Sequence, residues 1–291
     1  MARDYPLAAF AARSQPEAKL ILTRHVLFPL NRFQSRVMGR AAGVIAVSEA
    51  VAVRLRAQNL IPPGRIIVVS NGVEVDRFNE AVRSTDRPLF YRSWGFPENS
   101  LVVGTVGELN ELKGHDVFLQ AAAQVISVYP QARFLIVGGD FSPGAVTLNA
   151  LKQMVRELNL VDHVRLLGQV EEVAPLLAVM DVFVSASQTE SFGLAIVEAL
   201  ASSLPVVATE TEGAREIISP GATGFLIPLG QTAALAEAVN RLLGDRDLRR
   251  RMGQSAYRDA SERFQLKKMI DAIERIYEES IKQRRAEKFH S

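Results

Sequence analysis

Nine short, almost wholly apolar runs alternate with amphipathic stretches along this sequence, and that alternation restricts the fold more than any other feature. The runs are residues 19–24, 43–47, 65–69, 101–107, 133–139, 164–168, 182–186, 205–209 and 224–228. Runs this short and this uniformly apolar describe strands covered on both faces. Segments 117–128, 147–158, 193–203 and 232–243 lie between them and are long enough for amphipathic helices. Strand then helix, repeated, predicts right-handed βαβ units and an α/β fold built on a doubly wound parallel sheet. Such sheets bind ligands beyond the carboxyl ends of their strands, so the loops that follow the strands are where chemistry is sought.

Composition narrows the function classes. The 291 residues carry a formal net charge of +2, too small an excess to argue for nucleic acid as a partner. There is no cysteine, which excludes disulfides and thiolate metal sites and suits a reducing, cytoplasmic setting. The four histidines, His25, His115, His163 and His290, are far apart and lack metal-ligand spacing. His115 and His163 read as ordinary loop or surface residues, and no metal is expected. No apolar run approaches the ~18 residues of a membrane span, and 6–12 lacks the charge pattern of a signal peptide.

The most informative loop lies in 185–209, S-A-S-Q-T-E-S-F-G-L-A-I-V-E-A-L-A-S-S-L-P-V-V-A-T. A strand ends near Ala186, a polar loop follows, and a helix opens at Phe192 and Gly193. Unpaired N–H groups and the positive end of the helix dipole make that opening a seat for a diphosphate. Gly193 lets an anion come close to the backbone. Glu190 before the opening and Glu198 eight residues later can accept hydrogen bonds from sugar or ribose hydroxyls. Two glutamates alone would ordinarily be a helix-start charge and a solvated side chain. The strand–loop–helix context and the next strand, L-P-V-V-A-T, point instead to a bound nucleotide-sugar.

This segment resembles the Glu-x7-Glu signature of the family-4 retaining glycosyltransferases of the two-lobed GT-B fold. Four further stretches resemble the same family in the same order: 68–78 (V-V-S-N-G-V-E-V-D-R-F), 103–116 (V-G-T-V-G-E-L-N-E-L-K-G-H-D), 166–170 (L-L-G-Q-V) and 212–218 (E-G-A-R-E-I-I). The resemblance runs from about Gly43 to Phe264. It implies Lys113, on the loop opened by Gly107 and Glu108, as a point charge on the diphosphate. It implies Glu190 on the transferred sugar, backbone N–H groups of Phe192, Gly193 and Leu194 on the phosphates, and Glu198 on the ribose. Gly168, Gln169 and Val170 would line the base pocket, and His25 falls where the family often has a histidine reaching the sugar. Three residues depart from the pattern. Glu108 stands where Arg is frequent and would repel a diphosphate unless it points away. Ser191 replaces a common Pro, and Ser203 a common Gly. The Asp-x-Asp of 245–247 follows an expected helix end and reads as a cap.

The domain reading that follows has three parts. Residues 1–42 would be a helix-strand remnant of the N-terminal acceptor lobe, as in a member cut inside that lobe, exposing Leu20, Ile21, Leu22, Val26 and Phe28. Residues 43–263 would be the Rossmann-like donor lobe, with a linker around 76–99, and 264–291 an amphipathic helix and tail. The resemblance implies transfer of a sugar from a nucleoside diphosphate donor to a hydroxyl acceptor, a glycan or lipid-linked glycan, with retention and with no metal or other cofactor. The alternative is a non-catalytic donor-binding fragment or half of a split enzyme, completed by another chain or by self-association. A sugar-nucleotide epimerase of similar fold fits the Glu-x7-Glu context less well. A lipid acceptor would bring Arg32, Arg36 and Arg40 to the inner face of a membrane.

Overall fold

A computed structural model describes residues 4–15, 18–28, 34, 36, 38–39 and 41–289. All nine expected strands form, and every pairing between them is parallel. The chain divides into two compact units, one made of 1–72 with 266–291 and the other of 73–265.

In the first unit, α1 (Tyr5–Arg13) leads to β1 (Ile21–Arg24), followed by β2 (Gly43–Ala46), α2 (Glu49–Ala57) and β3 (Ile66–Val68). The strands form a sheet in the order β1-β2-β3, with Ile21 opposite Gly43 and Val44 opposite Ile66. The Ser48 side chain caps α2 by accepting from the Val51 N–H at 3.2 Å. The last helix of the chain, spanning Leu266–Phe289, packs Met269, Ala272, Ile273 and Ile276 against Ile21, Ile45, Ile67 and Val69.

These contacts move two expected boundaries. β2 is buried at all four positions, and a strand covered on both faces takes neighbours on both edges. It finds them in β1 and β3, so 43–72 belongs with the first 42 residues rather than with the donor lobe. The terminal helix joins the same unit because its apolar stripe covers that sheet. Of the residues expected to expose apolar surface, Leu22 is buried and Ile21 packs in the core, while Phe28 is exposed. Arg36 is exposed; Arg32, Arg40 and His290 lie outside the described residues.

In the second unit, α3 (Val75–Ser84) and α4 (Arg87–Trp94) precede β4 (Leu101–Val106). The region expected to be a linker is therefore largely helical. Its polar residues are start and stop signals: the Asp86 side chain accepts from the Leu89 N–H at 3.2 Å, Pro88 sits in the first turn, and Gly95 ends the helix. Tyr91 and the Arg87–Asp181 ion pair at 3.0 Å then anchor α4 within the unit.

The rest of this unit runs α5 (His115–Ile126), β5 (Ala132–Val137), α6 (Val146–Glu157), β6 (Val164–Gly168), α7 (Ala174–Ala178), β7 (Val182–Ser185), α8 (Leu194–Ala201), β8 (Val206–Thr209), α9 (Glu212–Ile217), β9 (Gly224–Ile227), α10 (Thr232–Gly244) and α11 (Arg246–Arg263). Strand order is β6-β5-β4-β7-β8-β9, that of a doubly wound Rossmann sheet. Phe118 on α5 and Phe134 on β5 meet edge to face in its core at 5.8 Å between ring centres. Asp245 caps α11 through the Leu248 N–H at 2.8 Å, the role expected of the Asp-x-Asp. The order reverses between β4 and β7, and the loops leaving these two strands, 107–114 and 186–193, therefore flank the crevice of the sheet.

Candidate functional site

A cavity of about 280 Å3 opens at that switch point, lined by both loops and by the first turns of α8. The β4 loop turns through a short 3-10 segment, Glu111–Lys113, and Gly114 follows with φ +64°. A Cβ at Gly114 would lie 2.1 Å from the Ala186 carbonyl oxygen, so only glycine allows this contact between loops. The Gln188 N–H donates to Leu112 O at 2.8 Å and fastens them further.

The loops bring Lys113 and Glu190 together across 77 residues of sequence: Lys113 Nζ donates to Glu190 Oε2 at 2.8 Å. Their side chains are 30% and 17% exposed, so the pair is reachable from solvent yet more strongly coupled than a surface pair. The Glu190 loop is pinned from behind by α9. The Gly213 N–H donates to Glu190 O at 3.0 Å, and a Cβ at Gly213 would stand 2.3 Å from Phe192 O. Thr209 Oγ1 also donates to Ser187 O.

Helix α8 begins at Gly193, and the N–H groups of Ile196 and Val197 return to Gly193 O. Leu194 and Ala195 precede the first such bond, and both line the cavity. Glu198 lines it as well, and burial pushes its carboxyl up to about 7, with the Arg77 guanidinium opposing the shift. Arg77 itself is held by Glu172. Among the described lining residues Lys113 is the sole Lys or Arg, facing Glu108, Glu190 and Glu198. The arrangement offers one cation and a helix start to an anion, and carboxylates to hydroxyl groups beside it.

Of the residues singled out in the sequence, Gly107, Glu108, Lys113, Glu190, Gly193, Leu194 and Glu198 meet in this one cavity. Glu108 lies at its wall and is exposed. Phe192 does not line it: its buried ring packs edge to face on Phe264, 5.8 Å between centres, and anchors the loop. Gly168, Gln169 and Val170 lie at the same edge of the sheet, beyond β5, outside the cavity. The Gly138 N–H donates to Gly168 O at 2.9 Å, and Gln169 packs beside Gly139. His25 follows β1 in the first unit, where partial burial lowers its pKa.

Several contributors had no sequence signal. Thr105, Ser185 and Ser187 line the cavity only because β4 and β7 are neighbours. Arg77 acts on Glu198 from a helix read as linker. His115, read as a surface or loop residue, is 3% exposed, with Nε2 3.1 Å from Glu108 O. It is buried because the Gly114 contact draws the start of α5 inward.

Residues 86–259 match the family described as "Glycosyl transferases group 1", and residues 2–77 match "Glycosyltransferase Family 4". A D-inositol 3-phosphate glycosyltransferase of Corynebacterium jeikeium is 35% identical over 219 residues, 74% of this chain and 52% of the relative. An N-acetyl-alpha-D-glucosaminyl L-malate synthase of Bacillus anthracis is 32% identical over 186 residues, 64% of this chain and 47% of the relative. The chain thus spans about half the length of these curated relatives. Among solved structures, Anabaena HepE in complex with UDP and glucose superposes with a TM-score of 0.85 at 26% identity, covering 96% of this chain and 76% of that one.

Proposed function

The chain belongs to the group 1 glycosyl transferases, and from that premise we propose that the cavity between the β4 and β7 loops holds a nucleoside diphosphate sugar. The convergence of Lys113, Glu190, Glu198 and the start of α8 in one cavity carries this reading. The diphosphate would take the Lys113 ammonium and the first-turn N–H groups of α8, both fixed before the ligand arrives. Glu190 would release part of its hold on Lys113 and accept from a sugar hydroxyl, while Glu198 would accept from the ribose. As the glycosidic bond breaks, negative charge accumulates on the departing diphosphate, which is where Lys113 and the helix start act. The reaction is transfer to a hydroxyl acceptor with retention and without a metal ion. Uridine diphosphate is the first nucleotide to try, because HepE was crystallised with UDP and glucose.

The test is calorimetric titration of the purified chain with UDP, GDP and ADP and their glucose conjugates, beside Lys113→Ala and Glu198→Ala. Binding of one nucleotide, weakened about tenfold or more by each change, supports the reading. Binding untouched by either change sinks the assigned site. Binding with no transfer to any acceptor would favour a donor-binding module over a complete enzyme.

A further inference from the structure

His115 follows Lys113 by two residues and is 3% exposed, yet the donor chemistry proposed above gives it no task. A buried imidazole is an unfavourable way to fill space. Its Nδ1 has no hydrogen-bond partner among the described residues. Burial also lowers its pKa, so the ring is neutral near pH 7. Leucine would occupy such a position without an orphaned polar atom. What imidazole adds is the Nε2–H. That nitrogen stands 3.1 Å from Glu108 O, and a carbonyl can only accept, so the single ring proton is on Nε2.

This bond closes the β4 loop on itself. Glu108 O accepts twice, from the Asn110 N–H at 3.0 Å and from His115. On the other side of the same peptide, the Leu109 N–H donates to Gly139 O at 2.8 Å. The peptide between Glu108 and Leu109 is therefore held at both ends. Gly107, just before it, is the surface along which Lys113 lies: a Cβ there would meet Lys113 Cδ at 3.4 Å and Cε at 3.6 Å. Lys113 and His115 also bracket Gly114, the residue pressed against Ala186 O. The imidazole thus ties the beginning of the loop, where the Lys113 stem rests, to its end, where α5 starts. From between those two points Lys113 Nζ reaches Glu190 Oε2 at 2.8 Å.

We propose that His115 is a positioning residue for Lys113: its Nε2–H fixes the Glu108–Leu109 peptide and thereby holds the ammonium where it meets Glu190 and, on the donor reading, the diphosphate. His115 does not line the donor cavity, so it acts through Lys113 and not on the ligand. The proposal rests on the donor reading only for its effect on nucleotide binding. Its effect on the Lys113–Glu190 pair is present without any ligand.

The test compares the full chain with three variants. His115→Gln can place an amide N–H where Nε2 stands, the His115→Asn amide reaches only as far as Nδ1, and His115→Leu fills space without a donor. Imidazole 15N spectra of the parent are expected to show the neutral Nε2–H tautomer, and the Nδ1–H tautomer would overturn the proposal. The Lys113 ammonium 15N resonance, identified by its loss in Lys113→Met, is then recorded with and without Glu190→Gln. Its response to Glu190→Gln should persist in His115→Gln and fall by roughly half or more in His115→Leu and His115→Asn; an undiminished response in those two refutes the proposal. UDP affinity should drop about tenfold in His115→Leu and stay within about twofold of the parent in His115→Gln. In a Lys113→Ala background the leucine change should cost less than about twofold more, and an equal loss in both backgrounds would mean that His115 does not act through Lys113. Should the leucine variant fail to fold, the contrast between His115→Gln and His115→Asn decides. A parent that binds no UDP refutes the donor reading, and the ammonium resonance then decides the role of His115 by itself.

Discussion

Glu198→Gln is expected to stabilise the unliganded protein at alkaline pH while weakening nucleotide binding. The carboxyl is raised from an ordinary 4.5 to about 7 chiefly because burial disfavours its charged form. The folded state therefore holds a proton that the unfolded chain has released between those two values. By linkage, stability falls as pH rises from about 4.5 through about 7 and is level above that. At about 1.4 kcal/mol per pH unit the full span amounts to roughly 3 kcal/mol at pH 8. Relaxation around the charged form reduces this, so a gain of about 1–3 kcal/mol is expected from the uncharged isostere at pH 8, and almost none at pH 5. For a unit of this size that is an increase in Tm of about 3–10 °C at pH 8. Thermal and urea melts of the parent and Glu198→Gln at both pH values provide the measurement. A variant no more stable than the parent at pH 8, or equally improved at pH 5, would refute the reasoning that burial strains this carboxylate.

Three other outcomes follow from the same structure. On the proposed reading, nucleotide affinity of the parent rises between pH 6 and pH 8 as Glu198 ionises, by up to about tenfold, and the rise is flattened in Glu198→Gln; calorimetry at the two pH values checks both slopes. Ser203 adopts φ +58°, a left-handed conformation that costs a non-glycine residue about 1 kcal/mol, so Ser203→Gly should raise stability by about that amount in urea denaturation. Gly114→Ala should destabilise by more than about 2 kcal/mol, combining φ +64° with a Cβ 2.1 Å from Ala186 O, and should loosen Lys113 from Glu190; a variant within 0.5 kcal/mol of the parent, a margin typical of surface changes, would mean the two loops do not depend on that contact.

The fold was legible where the chain obeys local rules. Each mostly apolar run became a strand because sheets covered on both faces bury most of their side chains. Lys113, Glu190 and Glu198 meet in one cavity because strand order brings the two loops after β4 and β7 together, and sequence motifs sit on both. Ser203 was visible as a departure from the family pattern, and its positive φ supplies the reason that glycine is common there. What stayed hidden depends on pairing over distance. That β2 and β3 join β1 rather than the larger sheet is decided by partners on either edge, which a run of Val and Ile does not name. The burial of His115 and the influence of Arg77 on Glu198 depend on packing between segments whose own sequences read as loop and linker.

Charge in the cavity between the β4 and β7 loops explains why Lys113 and Glu190 belong together. Lys113 without a partner would be a half-buried ammonium, and Glu190, 17% exposed, would be a carboxylate with little water. Paired at 2.8 Å, each removes the penalty of the other, so the empty site is stable. On the proposed reading a diphosphate competes for the same ammonium with more charge than Glu190 carries, and a sugar hydroxyl gives Glu190 a new donor at the same moment. One hydrogen-bonded pair is then exchanged for two, with no buried group left unsatisfied at either end of the exchange. Glu108 and Glu198 set the cost of that exchange. Each ionised carboxylate on the wall repels the incoming anion. A carboxyl that titrates near 7 is partly neutral when the anion enters, and it is ionised to best effect once a ribose hydroxyl donates to it. Glu108 lines the same cavity where the family often has arginine. On the proposed reading the anion therefore depends more heavily on Lys113 and the start of α8, and removal of the single ammonium should cost more here than in relatives that keep a second cation on the loop.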